Sequence, residues 1–72
     1  MELKVGDVYG TLSNRVVYKI LDINKDNIEV VILKDSISKD EVGSIYIWNK
    51  KWLLEDIPVK YAQTTLWKLL NE

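Results

Sequence analysis

Seventy-two residues with neither cysteine nor histidine bound the chain to one small domain whose stability has to come from packing. A hydrophobic share of 47% with 29% charged residues excludes a disordered chain, and a net charge of −1 excludes a global positive field for collecting nucleic acid. The missing residue types remove the commonest general base, the commonest metal ligand, every disulfide and every thiolate site.

The opening Met1-Glu2-Leu3-Lys4 is charged and has no apolar stretch behind it, and no apolar run in the chain exceeds four residues. A membrane span needs about 18. A cytoplasmic protein without a membrane segment is the expectation.

Val5-Gly6-Asp7 is a turn signal leading into the β-favouring pair Val8-Tyr9. The Gly, Thr, Ser and Asn of residues 10–15 predict a loop. Residues 16–23 and 28–33 are rich in β-branched and aromatic side chains and flank Asn24-Lys25-Asp26-Asn27, which predicts a hairpin with a four-residue loop. In its second arm Ile28, Val30 and Ile32 share one face, and Glu29, Val31 and Leu33 the other. Both faces are mostly apolar, as in a central strand covered on both sides.

Residues 34–43 are polar and predict a mobile loop with Ile37 as its anchor. Residues 44–48 predict a further strand in which Ile45 and Ile47 alternate with Tyr46 and Trp48. Lys51-Trp52-Leu53-Leu54 is too short for periodicity to separate a strand from a helical turn. In the tail, Glu55-Asp56-Ile57-Pro58 has the composition of a helix entry. At about 100° per residue Val59, Ala62, Leu66, Leu69 and Leu70 then form one stripe, with Trp67 at its edge. The expectation is an amphipathic helical segment over 57–71, with a final strand through residues 64–67 as the competing reading.

Few motifs carry chemistry. Asp22, Asn24 and Asp26 match the first ligand positions of a calcium loop. The match then breaks, because Asn27 stands where the loop needs glycine and Leu33 where it needs the bidentate glutamate. Turn-forming side chains explain the same residues, so no metal and no cofactor is expected. Serines have no histidine to activate them, no carboxylate pair is implied by spacing, and the three glycines form no phosphate loop, so an enzyme is not expected.

The aromatic residues are all Tyr and Trp. Such rings carry a polar tip that a binding surface can use and a core does not need. Tyr46, Trp48 and Trp52, flanked by Lys50 and Lys51 and joined by Trp67, are the candidate partner-binding residues. With Ile45 and Ile47 facing a core the rings would face out, and the opposite orientation is the alternative. Residues 49–72 hold Lys50, Lys51, Lys60 and Lys68 against Glu55, Asp56 and Glu72, a local charge of +1.

The layout from Lys4 to Leu54 resembles small SH3-like barrels of bacterial and phage type. The resemblance rests on Lys4-Val5-Gly6-Asp7, on residues 17–23 running into 28–33, and on Gly43 before Ile45-Tyr46-Ile47-Trp48. It implies a mainly β fold, a small barrel of about five strands over residues 3–54, with a short C-terminal helix. It also implies a binding role, since relatives of that fold engage peptides, nucleic acids or ribosomal partners; no family ligand residue carries over.

The expected function is a non-enzymatic binding module acting through a protein–protein interface, of the kind phage and mobile elements use as adaptors or inhibitors. The alternative is a barrel that binds single-stranded nucleic acid by Tyr and Trp stacking with lysine support. The apolar stripe of the tail adds the expectation of a homodimer that shares it.

Overall fold

A computed structural model describes residues 3–11, 15–55 and 58–61. It is mainly β, with five antiparallel strands, a turn of 3₁₀ helix and one short α-helix. The strands are β1 (Val8–Gly10), β2 (Val16–Asn24), β3 (Asn27–Asp35), β4 (Ile45–Asn49) and β5 (Val59–Lys60); the helix α1 is Lys50–Glu55. They form a single sheet in the order β4-β3-β2-β1-β5. Among the described residues nothing pairs β4 with β5, and the sheet they form is open. No helix among those residues is long and apolar enough to cross a membrane.

The entry turn forms because Gly6, at φ +89°, takes the left-handed position of a turn closed by Asp7 N–H donating to Lys4 O at 3.2 Å. The central hairpin is tighter than its composition predicts. β2 runs through Asn24 and β3 starts at Asn27, which leaves a two-residue turn, Lys25-Asp26, with Lys25 at φ +56°. The pairing slips near Val17/Tyr18 and again near Ile20/Asp22, so Leu33 and Leu21 are extra residues in the ladder.

Registers decide the two faces of the sheet. Tyr9 lies opposite Tyr18, Tyr18 opposite Ile32, Ile20 opposite Val30, and Ile28 opposite Trp48. These residues share one face, where Tyr9, Tyr18, Ile20, Ile28, Val30 and Ile32 form the core with Leu3 and Leu53. The alternation expected for β3 is present: Ile28, Val30 and Ile32 are buried, while Glu29, Val31 and Leu33 are half-buried. On the other face Val8 and Val17 are buried outside that cluster. Gly10, paired with Val17, lets the Tyr61 ring close in: a Cβ there would lie 3.0 Å from the Tyr61 Oη.

Two stretches differ from expectation. Residues 34–43 are not featureless. β3 continues to Asp35, whose Oδ1 accepts from the N–H groups of Ile37 and Ser38 at 3.0 and 2.9 Å, and a 3₁₀ turn follows at Lys39–Glu41. These bonds organise the turn around Asp35, and the Ile37 side chain is 68% exposed, so it anchors nothing.

The second stretch is the expected helix entry. Val59 and Lys60 are β5, paired with Gly10 and Tyr9 of β1, and Tyr61 N–H donates to Val8 O at 2.9 Å. The unpaired side of β1 needs backbone partners, and that requirement outweighs a helical period spread over distant residues. Pro58 is compatible with it, because proline is tolerated beside an edge strand. Of the expected stripe only Val59 is described; Ala62, Leu66, Leu69 and Leu70 lie outside the described residues.

Candidate functional site

Four rings form a continuous row from the core to the surface. Tyr9 packs on Tyr18 at 6.2 Å between ring centroids, Tyr18 meets the edge of Trp48 at 5.0 Å, and Trp48 meets Trp52 at 5.7 Å. Tyr46 stacks beside Trp48 at 6.2 Å with an interplanar angle of 18°. Burial falls along the row: Tyr9 and Tyr18 are buried, Trp48 is half-buried, and Trp52 is 60% exposed. Tyr46 is 39% exposed.

The structure thus brings Tyr46, Trp48 and Trp52 together, but not through outward-facing rings. Ile28 lies opposite Trp48 and Val30 opposite Tyr46, so both rings occupy the core-side face of β4. Ile45 and Ile47 point to the other face and are 58% and 70% exposed. The register against the buried side of β3 dictates this parity. The rings reach solvent because β4 is the last strand of the sheet among the described residues.

Trp52 is placed by α1. Asn49 Oδ1 accepts from Lys51 N–H at 2.9 Å, as an N-cap residue does, and Lys50 N–H donates to Asp26 O at 2.7 Å. The helix then buries Leu53, packs Leu54 against the core, and leaves Trp52 on its open side. Lys50 and Lys51 line an open cleft of about 550 Å³ with Asp26, Leu54 and Glu55. The lysines therefore sit beside carboxylates, not in a basic field.

Glu41 is a residue that sequence reasoning missed. Its carboxylate accepts a hydrogen bond from the Tyr46 hydroxyl, which holds the phenol above its ordinary pKa of 10.0, with burial and the Glu41 charge adding to the shift. Tyr18 was also missed as the support of the patch; its place opposite Ile32 is a long-range register that spacing alone does not reveal. Trp67 lies outside the described residues.

The calcium-loop residues separate. Asp22 and Asn24 line a small cleft with Asn27, Glu29 and Ile47, while Asp26 lines the cleft of Lys50 and Lys51. Asp22 Oδ1 accepts from Ile23 N–H at 2.9 Å. Strand pairing runs through Asn24 and replaces the coiled loop a calcium site needs. Among the described residues no group of three or more acidic side chains could hold a metal ion.

No protein-family model matches the chain, and neither a curated protein nor a solved structure matches it.

Proposed function

We propose that the chain is a non-enzymatic binding module that engages another protein through Tyr46, Trp48 and Trp52. One observation carries the reading: Trp48, held edge-on by Tyr18, supports a Trp52 that remains 60% exposed. A large ring fixed by its neighbour and open to solvent offers contact area at low entropic cost, which is how interface hot spots are built. Lys50 and Lys51, which precede Trp52 in α1, would supply a polar rim.

Single-strand nucleic acid is the second reading, supported by the Tyr46–Trp48 stack and by two lysines at the start of the helix that follows β4. Glu41 on Tyr46 and Asp26 and Glu55 beside the lysines oppose a phosphate backbone there. The role of a phage or mobile-element adaptor or inhibitor, acting in the cytoplasm, belongs to the same proposal.

The deciding experiment compares the wild-type chain with Trp52→Ala in affinity capture from host extract, followed by binding of the captured protein at rising salt. A protein retained by the wild type, lost by Trp52→Ala and held with little salt dependence supports the proposal. Oligonucleotide binding that collapses between low and moderate salt replaces it with the second reading.

A further inference from the structure

We infer that β4 is a self-complementary edge, and that two copies of the chain pair through it, antiparallel and centred on Ile47, joining two five-stranded sheets into one. Among the described residues β4 ends the sheet, and its five residues Ile45-Tyr46-Ile47-Trp48-Asn49 include no charge and no proline. Edge strands are normally protected from pairing by lysine, proline or a bulge within the strand. Here the protective devices are absent, and two isoleucines stand 58% and 70% exposed.

Hydrogen-bond parity selects the centre. Ile32 N–H donates to Ser44 O, and Lys50 N–H donates to Asp26 O. The antiparallel alternation then turns the backbone groups of Tyr46 and Trp48 toward β3, and those of Ile45, Ile47 and Asn49 outward. A two-fold axis at Ile47 places Ile47 opposite its own copy and Ile45 opposite the copy's Asn49, both as hydrogen-bonded pairs. Tyr46 then falls opposite the copy's Trp48 at the closer, non-hydrogen-bonded spacing, where aromatic cross-strand pairs are favourable. Isoleucines meet on one face and rings on the other.

Charge favours a second copy over an unrelated strand. The 3₁₀ turn before β4 (Lys39, Asp40, Glu41) carries a net −1, and α1 after it (Lys50, Lys51, Glu55) a net +1. The two-fold axis sets the basic end of each strand beside the acidic end of its copy, and no like charges fall opposite within the strand. The pairing sets Tyr46 and Trp48 of the proposed binding surface against the copy's Trp48 and Tyr46, so a further partner of the dimer would meet Trp52 on α1. It also places self-association on β4 rather than on the tail.

The test uses the full chain, which has no cysteine of its own. Sedimentation from micromolar to sub-millimolar concentration is expected to show a dimer. Ile47→Lys is expected to be a monomer whose thermal midpoint is independent of concentration and matches that of the wild type diluted to its monomeric range. With diamide as oxidant, Ile47→Cys is expected to form a disulfide-linked dimer, because the paired Cα atoms would lie about 5.5 Å apart, within disulfide reach. Ile45→Cys should not, since its copy would lie roughly 13 Å along the strand. A monomeric wild type, a dimer that survives Ile47→Lys, or equal cross-linking of the two cysteine variants overturns the inference.

Discussion

The two ends of the aromatic row have the same chemistry and opposite surroundings. Tyr9 and Tyr18 sit where β1, β2 and β3 overlap, and the sheet and Leu3 and Leu53 enclose them. Trp48 and Trp52 sit where the sheet has run out of strands, and α1 covers only part of what β4 leaves open. Position relative to the sheet edge therefore decides which rings are core and which are surface. Tyr and Trp serve both ends because each has an apolar body and a polar tip: the Tyr9 hydroxyl donates to Asp7 Oδ2 at 3.3 Å, and the Tyr46 hydroxyl to Glu41.

The largest effect is expected at the buried end of the row. Tyr18→Ala removes a ring that touches both Tyr9 and Trp48 and opens a cavity in the main cluster. The expected loss is about 3–5 kcal/mol, measured by urea denaturation. For a chain of this size that approaches the whole of its stability. A loss below about 1 kcal/mol would mean that Tyr18 is not a core residue.

Trp48→Ala tests the middle of the row. Its ring is half-buried, so the expected loss is about 2–3 kcal/mol, less than for a fully enclosed ring. Partner binding should fall as well, because Trp52 loses its support. Trp52→Ala, at the open end, should leave stability within about 0.5 kcal/mol of wild type and weaken partner binding by roughly 2 kcal/mol. If Trp52→Ala destabilised the fold as much as Trp48→Ala, the contrast between the two ends would disappear. Thermal melts and titration calorimetry on the same samples separate the two effects.

The central hairpin was legible in the sequence, and the β4–α1 end only partly. In β3 the alternation of Ile28, Val30 and Ile32 with Glu29, Val31 and Leu33 is local and matches burial residue by residue. In β4 both alternate sets are apolar, so the sequence cannot say which faces in; the register with Ile28 and Val30 decides it from the other side of a long loop. Lys51-Trp52-Leu53-Leu54 became helical because Asn49 caps it, and four residues carry too little periodicity to show that. Val59 carries a helical spacing in the sequence, but β1, about fifty residues earlier, pairs with its backbone, and local spacing cannot show that demand.

Lys25 sharpens the account of the hairpin with a smaller effect. At φ +56° a lysine pays the left-handed penalty of about 1–2 kcal/mol. Glycine removes that penalty and returns roughly 0.5–1 kcal/mol of chain entropy to the unfolded state. Lys25→Gly should therefore stabilise the chain by about 0.5 kcal/mol. Destabilisation in urea melts would show that the Lys25 side chain contributes more than its backbone strain costs.

The smallest effect belongs to Asp35, which ends β3 and starts the loop that carries Glu41 toward Tyr46. The N–H groups of Ser38 and Ile37 donate to its carboxylate and hold its pKa below the ordinary 3.8, and Arg15 adds to the shift against a small opposing effect of burial. A depressed folded pKa means that the folded chain binds the Asp35 proton less readily than the unfolded chain. The stabilisation is therefore complete above the ordinary carboxylate value and is lost as the pH falls through the lower folded value. Asp35→Asn keeps an acceptor for the two N–H groups but has no proton to gain. Its thermal midpoint should lie slightly below wild type at neutral pH, and the gap should close on acidification. Carboxyl chemical shifts followed by NMR give the direct reading: a wild-type Asp35 that titrates at or above the ordinary value would show that the two backbone bonds do not hold in solution, and the loop that positions Glu41 would lose its anchor.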